Sequence, residues 1–173
     1  MQYVYHRKSP DMVGGLLYPL YEIEKQLPEA YEKAKSKYVG REHVMDQRIP
    51  VLNCRWNDVI HLSPISPRIL FSELTKAGVI TDEHQWYKIP ISKLIPDKTV
   101  ILKNEKKEIT QDEILPFDPN TFQEMKGVND ACLQWYREHA AKGERPLIFA
   151  KLPHVLAMHA IDISDCEIFN WTC

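Results

Sequence analysis

Apolar residues in this chain fall in short runs broken by charge or proline, not in long stripes, and that rhythm predicts many brief strands with a few helices between them. Tyr3 to His6 is aromatic and β-branched, the composition of a strand. Arg48 to Leu52 and Val59 to Leu62 predict two more strands, joined by the polar loop Asn53 to Asp58. Trp86 to Ile89 and Thr99 to Leu102 follow, separated by Pro90 and Pro96, and the charged stretch 102–110 leads into further extended chain. Leu147 to Phe149, Ala160 to Ile163 and Cys166 to Phe169, with a turn at Pro153, close the chain as three strands.

Three helices carry clear punctuation. Pro28 suits a first helical turn and Gly40 lies just past the end, so 28–38 predicts a helix whose face of Glu29, Glu32, Lys33, Lys35 and Lys37 is solvated. Ser66-Pro67 opens a second, with the serine as cap, Gly78 as stop and Ile69, Leu70, Leu74 and Ala77 as a core-facing stripe. A third is expected from Asp118 or Asn120 to Lys142, with Met125, Val128, Cys132, Leu133 and Tyr136 on one side, Gly127 as a possible divide and Gly143 as stop. The fold class that follows is α+β: a mixed, mostly antiparallel sheet with inserted helices, its strands gathered at the two ends of the chain.

Composition narrows the functional classes. At 173 residues, with 44% hydrophobic and 27% charged, residues 1–173 are expected to form a single domain. A formal charge of -2, from 22 basic and 24 acidic residues, supplies no overall field for holding nucleic acid, although a local basic patch stays open. No apolar run approaches the roughly 18 residues of a membrane span, and His6, Arg7, Lys8 and Asp11 interrupt Met1 to Pro19. The expectation is a soluble, cytoplasmic protein with no membrane partner. Cys54, Cys132, Cys166 and Cys173 are widely spaced and form no C-x-x-C pair, the pattern of buried or free thiols.

The specific signatures of several enzyme classes are missing: no glycine-rich phosphate loop, no H-E-x-x-H and no G-x-S-x-G. His154 and His159 are five positions apart, the wrong spacing for two metal ligands on one helix face, and no metal is expected. Cys54 and His61 are a possible thiolate and base, with nothing in sequence to orient them. What remains is an ordered set: His6 at the end of the first strand, Arg48, Asn57, Asp58, Ser63, Ser66 and Arg68, then a late glutamate.

That order resembles the DarT-like branch of the ADP-ribosyltransferases. Tyr5-His6 is similar to the family's early tyrosine-histidine pair. Asp46-Gln47-Arg48-Ile49-Pro50-Val51 looks like the segment that supplies its catalytic arginine, which would make Arg48 the counterpart and Arg41 the alternate. Val59 to Leu70 keeps the prolines, the serine and the apolar pair of a P-R-S-P-M-L loop, and departs at Ile65, where the family has arginine. Leu152 to Leu156 followed by Ala160 to Ile163 looks like the family's closing strands.

The resemblance implies an ADP-ribosyltransferase-like fold with NAD as co-substrate: His6, Ser63 and Arg68 bind the cofactor, while Arg48 and a glutamate are catalytic. Cleaving the nicotinamide bond builds positive charge on the ribose. A carboxylate at the ribose hydroxyl stabilises that charge while histidine and arginine hold sugar and phosphates. The nearest glutamate before Leu152-Pro153 is Glu144, with Glu167 as the fallback. Three readings follow: an NAD-dependent ADP-ribosyltransferase acting on nucleic acid or protein; a member of that fold that binds a nucleotide without transfer; or a regulatory or immunity-type interaction module presenting Trp56, Trp86, Tyr87, Trp135 and Trp171 to a partner.

Overall fold

In the computed structural model, which describes residues 1–12 and 14–173, the strands and helices succeed one another as follows. β1 (Tyr3–Arg7) and the two-residue β2 (Leu16–Leu17) precede the helices α1 (Leu20–Gln26) and α2 (Pro28–Lys35). Next come β3 (Arg48–Ile49), β4 (Cys54–Arg55), a single helical turn Trp56–Asp58, β5 (Ile60–Leu62) and α3 (Pro67–Lys76). β6 (Gln85–Pro90), β7 (Thr99–Leu102) and β8 (Ile114–Pro116) lead to α4 (Asp130–Ala141). β9 (His154–Ala157), β10 (Ile161–Asp162) and β11 (Glu167–Asn170) end the chain. The molecule is mixed α+β, and every strand pair is antiparallel.

Two sheets dominate. One runs β1-β6-β11 and the other β5-β9-β7-β8. A reciprocal pair of backbone bonds joins them at a single place: Tyr5 N–H donates to Ser63 O at 2.9 Å and Ser63 N–H donates to Tyr5 O at 2.8 Å. Because that bridge is antiparallel, the residues after Tyr5 and those before Ser63 lie on the same side of it. No further ladder joins the two strands among the described residues, so the sheets part there.

Alternation along the strands sorts the side chains into cores on either face. Val4, Ile60, Leu62, Tyr87, Ile89, Val155 and Ala157 pack with Phe117 and Phe122. On the other face Tyr5, Trp86 and Trp171 pack beneath Leu70 and Leu74 of α3 and Cys132 and Tyr136 of α4. Val100, Leu102 and Leu156 meet Ile49, Cys54 and Ile114 in a third group. The side chain between Ile60 and Leu62 is His61, which the pleat turns away from the first core.

Several expectations are corrected. The predicted strand at 48–52 stops after Ile49, because Val51 (φ 73) and Asn53 (φ 51) turn the chain back into β4. A β-branched residue at positive φ belongs to a tight turn, not a strand. The helix expected from 118 or 120 begins only at Asp130: Asp118 spends its carboxylate on Asn120, and Met125 N–H donates to Pro64 O at 2.8 Å, which draws that stretch onto the sheet in extended form. The 28–38 helix is α2 followed by a separate turn, Ser36–Tyr38, and α1 stands before it. Residues 147–149 form a turn, and the strand in that region is β9. Nor do the strands gather at the two ends of the chain, since β5, β7 and β8 from its middle build the second sheet.

Candidate functional site

The parting of the two sheets creates the most distinctive chemistry in the molecule. His6 follows Tyr5 on β1, His61 is the middle residue of β5, and His154 opens β9 beside it. The His61 and His154 rings stand edge to face with centroids 6.4 Å apart. The Trp56 indole lies against His61 at 4.1 Å and edge-on to His154 at 6.3 Å, and Phe149 closes in on His154 at 6.0 Å. His6 is near enough that its charge is felt at His61.

The Trp56 side is built by the hairpin. Trp56 N–H donates to Gln47 O at 2.7 Å and Asn57 N–H to Met45 O at 3.2 Å, so the turn 56–58 is tied back to the chain entering β3. Asp58 does not face a ligand: its carboxylate accepts from Arg55 N–H at 2.7 Å and pairs with the Arg55 guanidinium.

Burial sets the electrostatics. It pushes the His61 imidazole down to about 3, helped by the neighbouring His154 and His6 charges. His154 is lowered to about 4 by burial alone. His6 is also lowered to about 4, by burial first and then by the Lys37 ammonium. Among the described residues no carboxylate acts on any of the three to raise it. All three are therefore neutral imidazoles at ordinary pH, each with one donor and one acceptor. Each residue taken as a whole is half-buried.

Their hydrogen-bonding capacity is not used up. His6 Nδ1, His61 Nε2 and Asn57 Oδ1 are buried atoms with no partner; the other two such atoms are the indole nitrogens of Trp86 and Trp135. Asn57 is 8% exposed, so its orphaned oxygen has no ready recourse to solvent. Buried polar atoms are nearly always paired, so these unpaired ones are the exceptions in this part of the molecule.

The five site residues named from sequence do not converge. His6 lies one residue past the bridge, opposite Tyr87 of β6 and on the first-core face that His61 is turned away from. Ser63 sits at the bridge itself, and its hydroxyl is consumed locally, donating to Ile65 O at 2.8 Å and accepting from Ile65 N–H at 3.2 Å. Arg48 is exposed on the hairpin and donates to Asn53 Oδ1 at 3.0 Å. Glu144 is exposed beyond α4, with His139 at 3.8 Å. Arg68 starts α3 and lies over the Phe169 ring at 5.1 Å. It lines a separate shallow pocket of about 110 Å³ with Tyr5, Ser66, Lys88 and Glu167. There the Tyr5 hydroxyl donates to Glu124 at 2.7 Å, which with burial raises its pKa. Glu167, the fallback glutamate, pairs with Lys88 at 3.1 Å.

Sequence alone offers His61 and His154 only as partners of Cys54 and His159. The Cys54 thiol is pushed up to about 11, chiefly by burial, and stays protonated. His159 is committed to the backbone: its Nε2 accepts from Ile95 N–H at 3.1 Å, which leaves Nδ1 to donate to Ala160 O at 2.9 Å. Among the described residues no group of three or more His, Cys, Asp or Glu is arranged to hold a metal ion. The available signal was period-two alternation, which places His61 opposite Ile60 and Leu62. No known protein family, curated protein or solved structure matches this chain.

Proposed function

We propose that this protein binds NAD or a closely related nucleotide in the cleft of His6, His61, His154 and Trp56, and that its likeness to DarT-like ADP-ribosyltransferases lies in that nucleotide site. The observation that carries the reading is the pair of half-buried, neutral imidazoles His61 and His154 beside the Trp56 indole, with His61 Nε2 unpartnered. Neutral donors and acceptors next to an aromatic face suit a planar heteroaromatic ring. Lys37 is exposed and near enough to influence His6, which suits a phosphate at the rim.

Binding without transfer is the version the geometry favours. Transfer needs a carboxylate at the ribose. The charge pattern around the three histidines contains none among the described residues, and Glu144 is exposed beyond α4. One observation keeps transfer to a nucleic-acid or protein acceptor as a second reading: Arg48 belongs to the hairpin that carries Trp56 to the cleft. The interaction-module reading loses most of its anchors, because Trp86, Tyr87 and Trp171 are buried in the cores.

Calorimetric titration with NAD, followed by chromatography of the same sample for released nicotinamide, tests this. Heat without release is the expected result. Heat with release favours the transferase, and loss of release on R48A would then assign Arg48 to it. No heat removes the proposal.

A further inference from the structure

We infer that α1 and α2 form a cover that opens as a unit, ahead of the two sheets, and that its opening uncovers the turn Trp56–Asp58. The segment is anchored at its two ends and hardly at all between them. Leu17 of β2 is 5% exposed and pairs with Ile161, and fully buried Ile49 of β3 pairs with Cys54. Among the described residues 20–44, only Tyr31 is buried. Local stability follows buried apolar contact, so a stretch with one buried side chain costs little to release.

Nor do the helices hold themselves. They span seven and eight residues, short of the roughly 12 at which an isolated helix becomes even marginal in water, and neither has a side-chain cap at its N-terminus. The ion pair that ties α2 to the loop before β2, Lys33 with Asp11, is exposed on both sides and therefore weak. Beyond α2, Gly40 stands at φ 79 with open space around it, which gives the chain a joint before it returns to the sheet. The fixed point on that side is the pair of bonds from the Trp56 and Asn57 N–H groups to Gln47 O and Met45 O.

What lies beneath favours opening. α1 rests against the turn 56–58. Asn57 in that turn is 8% exposed, and its Oδ1 has no partner. Burying an amide oxygen unpaired is unfavourable, whereas water satisfies it once the turn is uncovered. The closed state thus carries a penalty that the open state escapes. Trp56 in the same turn lies against His61, so the cover controls access to that end of the candidate site. That consequence rests on the site described above; the opening itself does not, and its test contains no nucleotide.

Native-state hydrogen exchange of the full chain, read by mass spectrometry, provides the test. Peptides covering α1 and α2 should exchange together, about a hundredfold or more faster than those of β6 and β9, yet well below the rate of unstructured chain. N57L removes the orphaned oxygen and should slow exchange in both helices about tenfold. Helices that exchange only along with β6 and β9, or at the unstructured rate, or independently of each other, overturn the inference and leave the NAD reading to its own titration. If N57L slows β6 and β9 but leaves the helices unchanged, Asn57 is not what the cover buries, and the uncovering of the turn is refuted. Should N57L not fold, Y31A takes its place: loss of the one buried anchor should quicken α1 and α2 in step by about tenfold or more, and a quickening of α2 alone refutes the unit.

Discussion

At the scale of single residues, the three histidines write a pH dependence into stability. Each folded-state pKa lies below the ordinary histidine value of 6.5, at about 4, 3 and 4 for His6, His61 and His154. As pH falls below that value the unfolded chain takes up protons that the folded chain refuses, so stability declines until the folded histidines titrate in turn. Each site contributes at most about 1.4 kcal/mol per pH unit across that window. Thermal melts between neutrality and mild acid should show falling stability, and H61Q should show a shallower slope by one proton's worth. An unchanged slope in H61Q would mean that His61 is not held neutral. The thiols give a second residue-level prediction. Cys173 is exposed, whereas Cys54 and Cys132 are buried and Cys54 is held as a thiol at neutral pH. A chromogenic disulfide reagent should therefore react first at Cys173, and C173S should abolish the fast phase.

At the scale of elements, α4 depends on the residue in front of it. Asn129 accepts from Cys132 N–H at 2.8 Å and also donates to Lys151 O at 2.7 Å, so one side chain caps the helix and pins the turn before β9. N129A should cost about 1 to 2 kcal/mol by chemical denaturation, the upper end because two bonds are lost. L70A, which removes a fully buried side chain where α3 meets the sheet, should cost about 2 to 5 kcal/mol. The sequence was legible where local signals act alone: Ser66-Pro67 and Gly78 bracket α3, and Leu70 and Leu74 are its buried stripe. It was misleading where a distant partner decides. The apolar spacing of 118–129 continues that of α4, but Phe122 packs into the first core and Met125 bonds to Pro64, contacts that no local pattern records. The true start signal, Asn129 before an acidic first turn, was present and was masked by earlier candidates at Asp118 and Asn120. Even Ser66 differs in detail. It occupies the cap position of α3, yet its hydroxyl makes no capping bond.

At the scale of the whole molecule, the site exists only because strands distant in sequence come together. His61 and His154 are carried by strands from the middle and end of the chain, so sequence could name each one and could not show that they meet. Among the five residues named for a site, His6 alone is near enough for its charge to influence His61. The others were assigned by order along the chain, and order does not fix which face of a strand or which side of a sheet a side chain takes. The backbone bridge from Tyr5 to Ser63 joins the sheet that carries Trp86, against which Trp171 packs, to the sheet that holds the other two histidines. If the two sheets unfold as one unit, near-ultraviolet signals dominated by the buried tryptophans and far-ultraviolet signals from the whole backbone should share one midpoint. NAD bound across the parting should then raise both together, by about 2.7 kcal/mol at a hundredfold excess over its dissociation constant. A ligand that moved one midpoint and left the other in place would show that the cleft stabilises one sheet only, and that the bridge does not couple them.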